Sequence, residues 1–367
     1  MDEPDAGLTK PETPLKRGWT TGACATAATK AALTALLTGK FPDPVSIILP
    51  KGENPAFPLV MESLAPDSAR AGIVKDAGDD PDVTHGATVI AEVRWGAPGS
   101  GIVFAAGEGV GTVTRAGLPV PPGEPAINPV PRQMISAEIE ALCAEHKRSH
   151  DVIVTISIPN GAAIATKTWN PRLGIIGGLS ILGTTGVVHP FSCAAWIHSI
   201  HRGVDVARAA GLTHIAGSTG STSETTVQEL HNLPDIALID MGDFAGGLLK
   251  YLRAHPIDKV TIAGGFAKIT KLAQGAMDLH SSRSQIDLNF LAQIALKEGL
   301  NQILRERILN ANTAQEVLEL THEHGVDLAG PVARMALATC RDILRDAPVS
   351  VEILITDRKG NVLAQQG

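Results

Sequence analysis

Apolar positions follow a helical period in some parts of the chain and alternate with polar positions in others. Dense Ala and Leu through residues 20–39 favour a helix that begins at a Thr cap and stops at Gly39. A second helix is predicted at 133–146. Strands are predicted at 45–49, 59–64, 88–95 and 152–158. We therefore expect a mixed α+β region in this half of the chain.

The pattern changes from residue 192 onward, where short strands and helices alternate. Strands are expected at 213–216, 236–241 and 259–263, and helices at 192–210, 223–230, 244–254 and 267–277. Alternation at this pace is typical of a right-handed, doubly wound parallel sheet. Residues 288–345 read as three or four helices, and a hairpin around 359–361 is expected to close the edge of the sheet.

Length and composition agree with a two-domain protein of the α/β and α+β classes. The 367 residues correspond to two domains of ordinary size, and 44% hydrophobic residues suffice for a core in each. We expect a disordered tail at 1–14, an α+β substrate-binding domain at 15–190 and a Rossmann-like cofactor-binding domain at 191–367. The tail is rich in polar, acidic and proline residues and lacks the pattern of a signal peptide.

Charge and cysteine usage limit the possible partners and the compartment. A net charge of −7 argues against nucleic-acid binding, and four scattered cysteines without a CxxC pair predict a reduced, cytoplasmic setting. No charged residue occurs between Arg172 and Arg202, but Gly, Thr and Pro190 interrupt the stretch. We expect a buried connection leading into a core helix there, and no membrane span.

A glycine- and hydroxyl-rich turn at 215–223 is the first candidate for a ligand site. Such a turn, placed at the carboxyl edge of a parallel sheet, lets backbone N–H groups approach a nucleotide. The full GxGxxG pattern is absent, so a plain Ser/Thr helix cap is the alternative. Asp240 lies about 20 residues after this turn, where an acid often binds ribose hydroxyls. The expected cofactor-binding residues are Gly217, Ser218, Thr219, Gly220, Asp240, Asp243 and Gly264.

Four carboxylates within residues 76–82 form a second candidate. Like charges at this density would raise a carboxyl pKa and make it a candidate base, whereas a set of Asx turns is the ordinary explanation. His280 follows the helix after the third strand, and we expect it to overhang the proposed crevice at the nucleotide-binding turn. The candidate catalytic residues are Asp76, Asp79, Asp82 and His280. The spacing does not match an EF-hand, and the histidine pairs at helical spacing lack a third ligand, so no metal site is expected.

Several long motifs resemble one known family. The segments GWTTGACATAATKAA, VKDAGDDPDVTHG, GEGVGTVTRAGLPVPPGEPAINPVPRQMI, NPRLGIIGGLSILGTTGVVHPFS, MGDFAG and KITKLAQGAMDLHSSRSQID occur in order between about residues 16 and 287. They are similar to the cobalt-precorrin-5B C(1)-methyltransferase family of the CbiD type. The resemblance implies an S-adenosylmethionine-dependent enzyme that methylates carbon 1 of cobalt-precorrin-5B, giving cobalt-precorrin-6A in cobalamin biosynthesis, with the cofactor in a Rossmann-like C-terminal half.

A tetrapyrrole with many carboxylate arms would need fixed cations and N–H donors. Substrate-binding candidates are Arg17, Thr20, Thr21, Gly22, Arg132, Arg172 and Lys268. We expect the start of the first helix to offer N–H groups to one carboxylate of the substrate. A nicotinamide-dependent reductase and a non-catalytic corrinoid carrier are the alternatives, and a homo-oligomer is left open.

Overall fold

The computed structural model describes residues 14–367, which divide into two compact units, one ending at Ser192 and one running from Cys193 to Gly367. The predicted tail, apart from Pro14, lies outside the described residues. The strands of the first unit are β1 (Gly18–Trp19), β2 (Val45–Ser46), β3 (Ala56–Phe57), β4 (Met61–Leu64), β5 (Ser68–Val74), β6 (Thr88–Trp95), β7 (Ile102–Ala106), β8 (Thr112–Val113), β9 (Val152–Ser157), β10 (Ile175–Ile176) and β11 (Val187–Val188). Its helices are α1 (Thr21–Thr38), α2 (Pro129–Glu145) and α3 (Gly161–Ala165).

A five-stranded sheet and two long helices form the first unit's main core. The sheet order is β4-β5-β6-β9-β7, antiparallel except for the β7–β9 pair. Helix α1 packs on β5, β6 and α2. Its Ala-rich sequence is buried along almost the whole helix, because small side chains let the neighbouring elements approach from several sides. Three short pairs, β1–β11, β2–β3 and β8–β10, lie outside this sheet.

Cap chemistry sets the ends of α1 as the sequence predicts. The Thr20 side chain accepts a hydrogen bond from Ala23 N at 3.1 Å, and Gly39 ends the helix in the left-handed region at φ 81°. The sequence did not predict β5, whose Ser, Ala, Gly and Arg content lacks the usual strand signal. Helix α2 begins at Pro129, four residues earlier than predicted, because proline is accepted in a first turn.

The second unit alternates strands and helices. Its strands are β12 (His214–Ser218), β13 (Leu238–Asp240), β14 (Lys259–Gly265), β15 (Ser350–Thr356) and β16 (Val362–Gln366). Its α-helices are α4 (Cys193–Ala209), α5 (Ser221–His231), α6 (Ala245–Ala254), α7 (Phe266–Ala273), α8 (Leu288–Lys297), α9 (Gln302–Leu309), α10 (Ala314–Glu323) and α11 (Ala329–Leu344).

The sheet of this unit has the order β13-β12-β14-β15-β16. The first four strands are parallel, and β16 pairs antiparallel with β15 at the edge. From β12 the chain moves to one side to form β13 and then crosses back to form β14 on the other side. The strand order therefore reverses between β12 and β14, and crevices at such points are common ligand sites.

Most predicted elements of the second unit are confirmed as a mixed α/β arrangement. The structure has four helices in 288–345 and the predicted C-terminal hairpin. Three predictions were clearly wrong in extent. β12 continues to Ser218, and β13 covers only Leu238–Asp240 of the predicted 236–241. α7 stops at Ala273, shortly before Gly275 at φ 91°. Pro331 lies in the first turn of α11, where proline is accepted.

The uncharged stretch before Arg202 contains β10, β11 and the start of α4. Helix α4 buries Ile200, Val204, Val206 and Ala207, whereas its first turns are largely exposed. The prediction of a core helix was therefore wrong for its N-terminal part. Across residues 14–367, no helix combines the length and the apolar character needed to cross a bilayer.

Candidate functional site

β12 and β14 end side by side at the point where the strand order reverses. β12 ends at Ser218, and the next residue, Thr219, donates its N–H to Ala263 O at 3.0 Å. Helices α5 and α7 follow the two strands closely, and their N-cap residues, Gly220 and Gly265, have no side chain to accept from the helix N–H groups. A Cβ at either glycine would meet no atom of the described chain within 4 Å. There is therefore open space beside two helix N-termini, where N–H groups and the positive dipole ends favour a negatively charged group.

The hydroxyl of Ser218 has no hydrogen-bond partner within residues 14–367, although the residue is only 1% exposed. A buried polar group without a partner costs about 1–3 kcal/mol, so such groups call for an explanation. Ser218 is paired in register with Asp240 on β13. The Asp240 carboxylate accepts from Gly242 N at 3.2 Å, and its backbone carbonyl accepts from Trp196 Nε1 at 3.2 Å. Polar groups of two adjacent strands thus meet at this edge.

Gly217 and Gly264 lie inside strands, and their role here is packing. A Cβ on Gly217 would approach Leu248 Cδ2 to 2.3 Å, and one on Gly264 would approach Thr219 Oγ1 to 2.7 Å. The prediction that Gly217 belongs to a turn open to a ligand was wrong in this respect, because its buried position is filled from α6. Ser218 is likewise a strand residue, whereas Thr219 and Gly220 form the turn.

Asp243 and Lys268, which were predicted to bind different molecules, form an ion pair with each other. Leu279 is held beside them, since its N–H donates to Asp243 O at 2.8 Å and its carbonyl accepts from Lys271 Nζ at 2.9 Å. Burial, followed by the nearby Lys268 charge, lowers the pKa of Lys271. His280 follows in the same loop, exposed, with its Nδ1 2.7 Å from Ser282 Oγ. Sequence reasoning missed Lys271, one turn after Lys268 on α7.

The aspartate-rich loop of the first unit holds distant parts of that unit together. Asp76 pairs with Lys16 Nζ at 2.6 Å, and the carboxylate of Asp79 accepts from Lys16 N at 2.6 Å. The backbone is close here, because a Cβ on Gly78, at φ 66°, would lie 2.1 Å from Lys16 O. Asp80 accepts from Phe191 N at 2.8 Å, near the end of the unit. These contacts support a structural role for the loop.

Opposite charges and N–H donors, not like charges, dominate the pKa values of this loop. The hydrogen bond from Lys16, followed by one from Gly78 N, lowers the pKa of Asp76. Burial raises the pKa of Asp82, but the Lys75 ammonium and the Thr84 donors outweigh it and leave that pKa below its usual value. The prediction that crowding would raise the pKa of Asp76 or Asp82 was therefore wrong.

The start of α1 is saturated by contacts within the unit. Gly22 N donates to Leu182 O at 2.9 Å, and Ala23 N donates to the Thr20 hydroxyl. The Thr21 hydroxyl accepts from Leu182 N at 3.0 Å. The expectation that these N–H groups are available to a substrate carboxylate was wrong for Gly22 and Ala23, because Leu182 O accepts from the first and the Thr20 hydroxyl accepts from the second. All three predicted residues, Thr20, Thr21 and Gly22, are buried.

The three predicted arginines of the first unit differ in their surroundings. Arg132 makes four hydrogen bonds, to Ile127 O, Pro125 O and twice to Glu124 Oε2, and so holds the proline-rich loop. Arg17 is exposed and pairs with Glu53 at 3.1 Å. The guanidinium of Arg172 lies 5.2 Å from the ring centroid of Trp169.

Comparison with known proteins now adds to this geometry. The family model described as CbiD matches residues 8–190, and the model described as CbiD, C-terminal domain, matches residues 278–367. A curated relative from Brucella canis is 70% identical over 351 residues, covering 96% of this chain and 95% of the relative.

The chain belongs to the CbiD family. The Brucella canis relative carries the name cobalt-precorrin-5B C(1)-methyltransferase, as does a relative from Brucella ovis that is 69% identical over the same shares of both chains. The resemblance read from the sequence motifs is thereby confirmed. A crystal structure described as cobalamin biosynthesis protein (cbiD) from Archaeoglobus fulgidus is 29% identical, covering 68% of this chain and 77% of that chain. Its TM-score is 0.38, which supports no statement about geometry.

For this CbiD-family chain, the switch-point edge contains one polar contact that sequence reasoning missed. Trp196 binds the Asp240 carbonyl and also approaches Gly242, where an added Cβ would lie 3.3 Å from its ring. A tryptophan in the uncharged first turns of α4 gave no signal of this contact. The structure thus brings Ser218, Thr219, Gly220 and Asp240 to one edge of the CbiD-family C-terminal unit, and the Asp243–Lys268 pair follows in the adjoining segments.

Proposed function

We propose that this chain methylates carbon 1 of cobalt-precorrin-5B to give cobalt-precorrin-6A in cobalamin biosynthesis, with S-adenosylmethionine as the methyl donor. The observation that carries the proposal is the 70% identity to a relative of that name over 96% of this chain. The match covers 96% of the chain and therefore extends over both units. The chain is accordingly a C-methyltransferase.

The second unit is proposed as a Rossmann-like cofactor domain. Support comes from the reversal of strand order at β12 and β14, where ligands of open α/β sheets commonly bind. The partnerless Ser218 hydroxyl and the open space before Gly220 and Gly265 fit a ligand with polar groups at this edge. Asp240 would accept hydrogen bonds from ribose hydroxyls, and the N-termini of α5 and α7 would favour a carboxylate.

When bound, S-adenosylmethionine would supply an electrophilic methyl group on a sulfonium. The chain's own contribution is then to hold donor and acceptor in line and to exclude water. Asp240 would fix the ribose end, and the Asp243–Lys268 pair would hold the loop at Leu279 in place. Such positioning needs no strongly basic side chain, since the conjugated macrocycle provides the electron pair that attacks the methyl.

The first unit is proposed to bind the polyanionic substrate. Arg172 is the leading candidate cation, because buried Asn170 fixes its loop by donating from Nδ2 to Gly178 O at 3.1 Å. Arg17 is the second. Arg132 would act indirectly by holding the proline-rich loop. A proton is released when the conjugation of the macrocycle is restored, and the candidates for accepting it remain Asp76, Asp79, Asp82 and His280. Asp76 and Asp82 form ion pairs with lysines.

Anaerobic incubation of the purified chain with cobalt-precorrin-5B and methyl-labelled S-adenosylmethionine tests the function. We expect protein-dependent incorporation of one methyl group per macrocycle, detected by mass. A reaction with NADH in place of the labelled donor is the matched control for a reductase, and it should leave the mass of the macrocycle unchanged. Failure of labelling with folded protein and intact substrate would refute the proposal.

Titration with S-adenosylmethionine tests the cofactor site separately. Asp240→Asn should weaken binding by roughly tenfold or more, since a hydrogen bond to a charged group contributes about 1.5–3 kcal/mol. Asp258→Asn, an exposed change at the opposite end of β14, is the matched control and should bind like the unaltered chain. Equal affinity of all three proteins would place the cofactor elsewhere.

A further inference from the structure

Two histidines and a glutamate converge at the amino-terminal end of the second unit's sheet, away from the edge discussed above. His214 is the first residue of β12, His231 is the last residue of α5, and Glu352 lies in β15. One potential ligand atom from each residue lies within 4.8 Å of the other two. Glu352 is 7% exposed, and the two histidines are partly buried, so the group is sheltered without being sealed from solvent.

The contact between His231 and Glu352 is short and lacks the angular geometry of a hydrogen bond. Nε2 of His231 lies 2.6 Å from Glu352 Oε2, yet this buried nitrogen has no partner with hydrogen-bond geometry within the described residues. A buried ring nitrogen without a donor or acceptor partner is costly. The two atoms converge on one small volume, which a cation could occupy if their separation widened.

Hydrogen bonds already hold one carboxylate oxygen of Glu352, Oε1. Oε1 accepts from Gln365 Nε2 at 3.0 Å and from Lys259 Nζ at 3.2 Å. The other oxygen, Oε2, faces His231 and accepts from the Thr261 hydroxyl at 2.8 Å. Bonds of this kind orient a ligating carboxylate in metal centres. His214 Nε2 lies 2.8 Å from the same Thr261 hydroxyl, so all three side chains share one neighbour.

We propose that His214, His231 and Glu352 bind one divalent transition-metal ion. Two imidazoles and one carboxylate match the ligand preference of Zn²⁺, and tetrahedral Zn²⁺ would need neighbouring ligand atoms about 3.4 Å apart. The 2.6 Å between His231 and Glu352 would therefore have to open by a rotamer adjustment. Water would complete the coordination from the partly exposed side. The ion would tie α5, β12 and β15 together, independently of the proposed methyl transfer.

The ammonium of Lys259 is the group that opposes a cation, because it lies on the same carboxylate. This gives the proposal a sharp test, since Lys259→Met removes a competing positive charge without removing a ligand. We expect Lys259→Met to bind metal more tightly than the unaltered chain. A cluster that serves only as an ion-pair network would instead lose stability on that change and gain no affinity for metal.

Metal content and Co²⁺ absorption measure the site directly. The full chain, stripped with chelator and titrated with Co²⁺, should develop ligand-field absorption at one ion per chain that Zn²⁺ displaces. His231→Gln and His214→Gln should each weaken this binding by more than about tenfold. His322→Gln, an exposed histidine of the same unit, is the matched control and should bind like the unaltered chain.

A thermal measurement covers variants that bind weakly, with circular dichroism to establish that each is folded. Zn²⁺ should raise the Tm of the unaltered chain and of His322→Gln, but not that of His231→Gln or His214→Gln, because only a ligand of the native state stabilises it. Absence of Co²⁺ absorption and of any Zn²⁺-dependent Tm shift in the unaltered chain would overturn the proposal. So would equal binding by His322→Gln and folded His231→Gln.

Discussion

At the scale of single residues, the buried Lys75 shows how a charge is accommodated in the first unit. Lys75 is 1% exposed, and its ammonium lies 2.7 Å from Asp82 Oδ2. The other oxygen of Asp82 accepts from the N–H and the hydroxyl of Thr84, so the acceptor is held in place. Removing one member of such a pair leaves a buried charge without a partner, which costs more than the pair itself contributes.

Asp82→Asn should therefore destabilise the chain by about 3 kcal/mol at pH 7, as measured by urea unfolding. The exposed control Asp67→Asn should stay within about 0.5 kcal/mol of the unaltered chain. The double variant Lys75→Met/Asp82→Leu should recover much of the loss, because it removes both charges. A loss no greater than that of Asp67→Asn would contradict the interpretation of the pair as a buried one.

The pH dependence of this loss follows from the lowered pKa of Asp82. A carboxyl whose folded pKa is depressed stabilises the fold fully above its unfolded pKa of about 3.9 and loses that contribution as pH falls through the folded pKa. The difference in unfolding free energy between the unaltered chain and Asp82→Asn should thus be constant near neutrality and shrink below about pH 4. If this free-energy difference grew as the pH was lowered, the assignment of a lowered pKa to Asp82 would be contradicted.

At the scale of elements, α1 illustrates what sequence can predict. Its composition and caps gave both ends correctly, since Thr20 and Gly39 act through local chemistry. The sequence could not reveal that the segment at Leu182 occupies the helix start, because that contact joins residues 161 positions apart. In the same way, β12, β13 and β14 were predicted from local pattern, whereas their order in the sheet and the packing of Gly217 depend on tertiary contacts.

Thr20→Ala should destabilise the first unit by about 1 kcal/mol, because Ala23 N loses its capping acceptor at a buried helix start. Thermal or urea unfolding of the full chain checks this value. Thr38→Ala, an exposed change at the other end of α1, is the control and should cost less than about 0.5 kcal/mol. Equal effects of the two changes would show that the cap contributes nothing specific.

At the scale of the whole molecule, we propose that the second unit binds the cofactor and that the first unit binds the macrocycle. The sequence predicted the family, which the comparisons confirm, whereas the cofactor role of Thr219, Gly220 and Asp240 stays a prediction. It did not reveal the ion pairs that two of the predicted substrate-binding residues form, Lys268 with Asp243 and Arg132 with Glu124. The sequence predicts these charged side chains as groups available to a ligand, and only the fold shows which of them form ion pairs within the chain.

The division of labour predicts separable losses. Arg172→Ala should weaken cobalt-precorrin-5B binding by roughly tenfold, the equivalent of about one charge-assisted hydrogen bond, and leave S-adenosylmethionine affinity unchanged. Arg94→Ala, an exposed arginine of the same unit, is the control and should affect neither ligand. Separate titrations with the two ligands measure both values. Parallel loss of both affinities in Arg172→Ala would contradict the division.

The most direct test of the central claim is the position of the transferred methyl group. Product made anaerobically by the purified chain from cobalt-precorrin-5B and ¹³C-methyl-labelled S-adenosylmethionine can be examined by NMR. The account predicts a single enriched methyl resonance that correlates with carbon 1 of the macrocycle. Enrichment at any other ring carbon, or an unlabelled macrocycle recovered with folded, cofactor-binding protein, would contradict it.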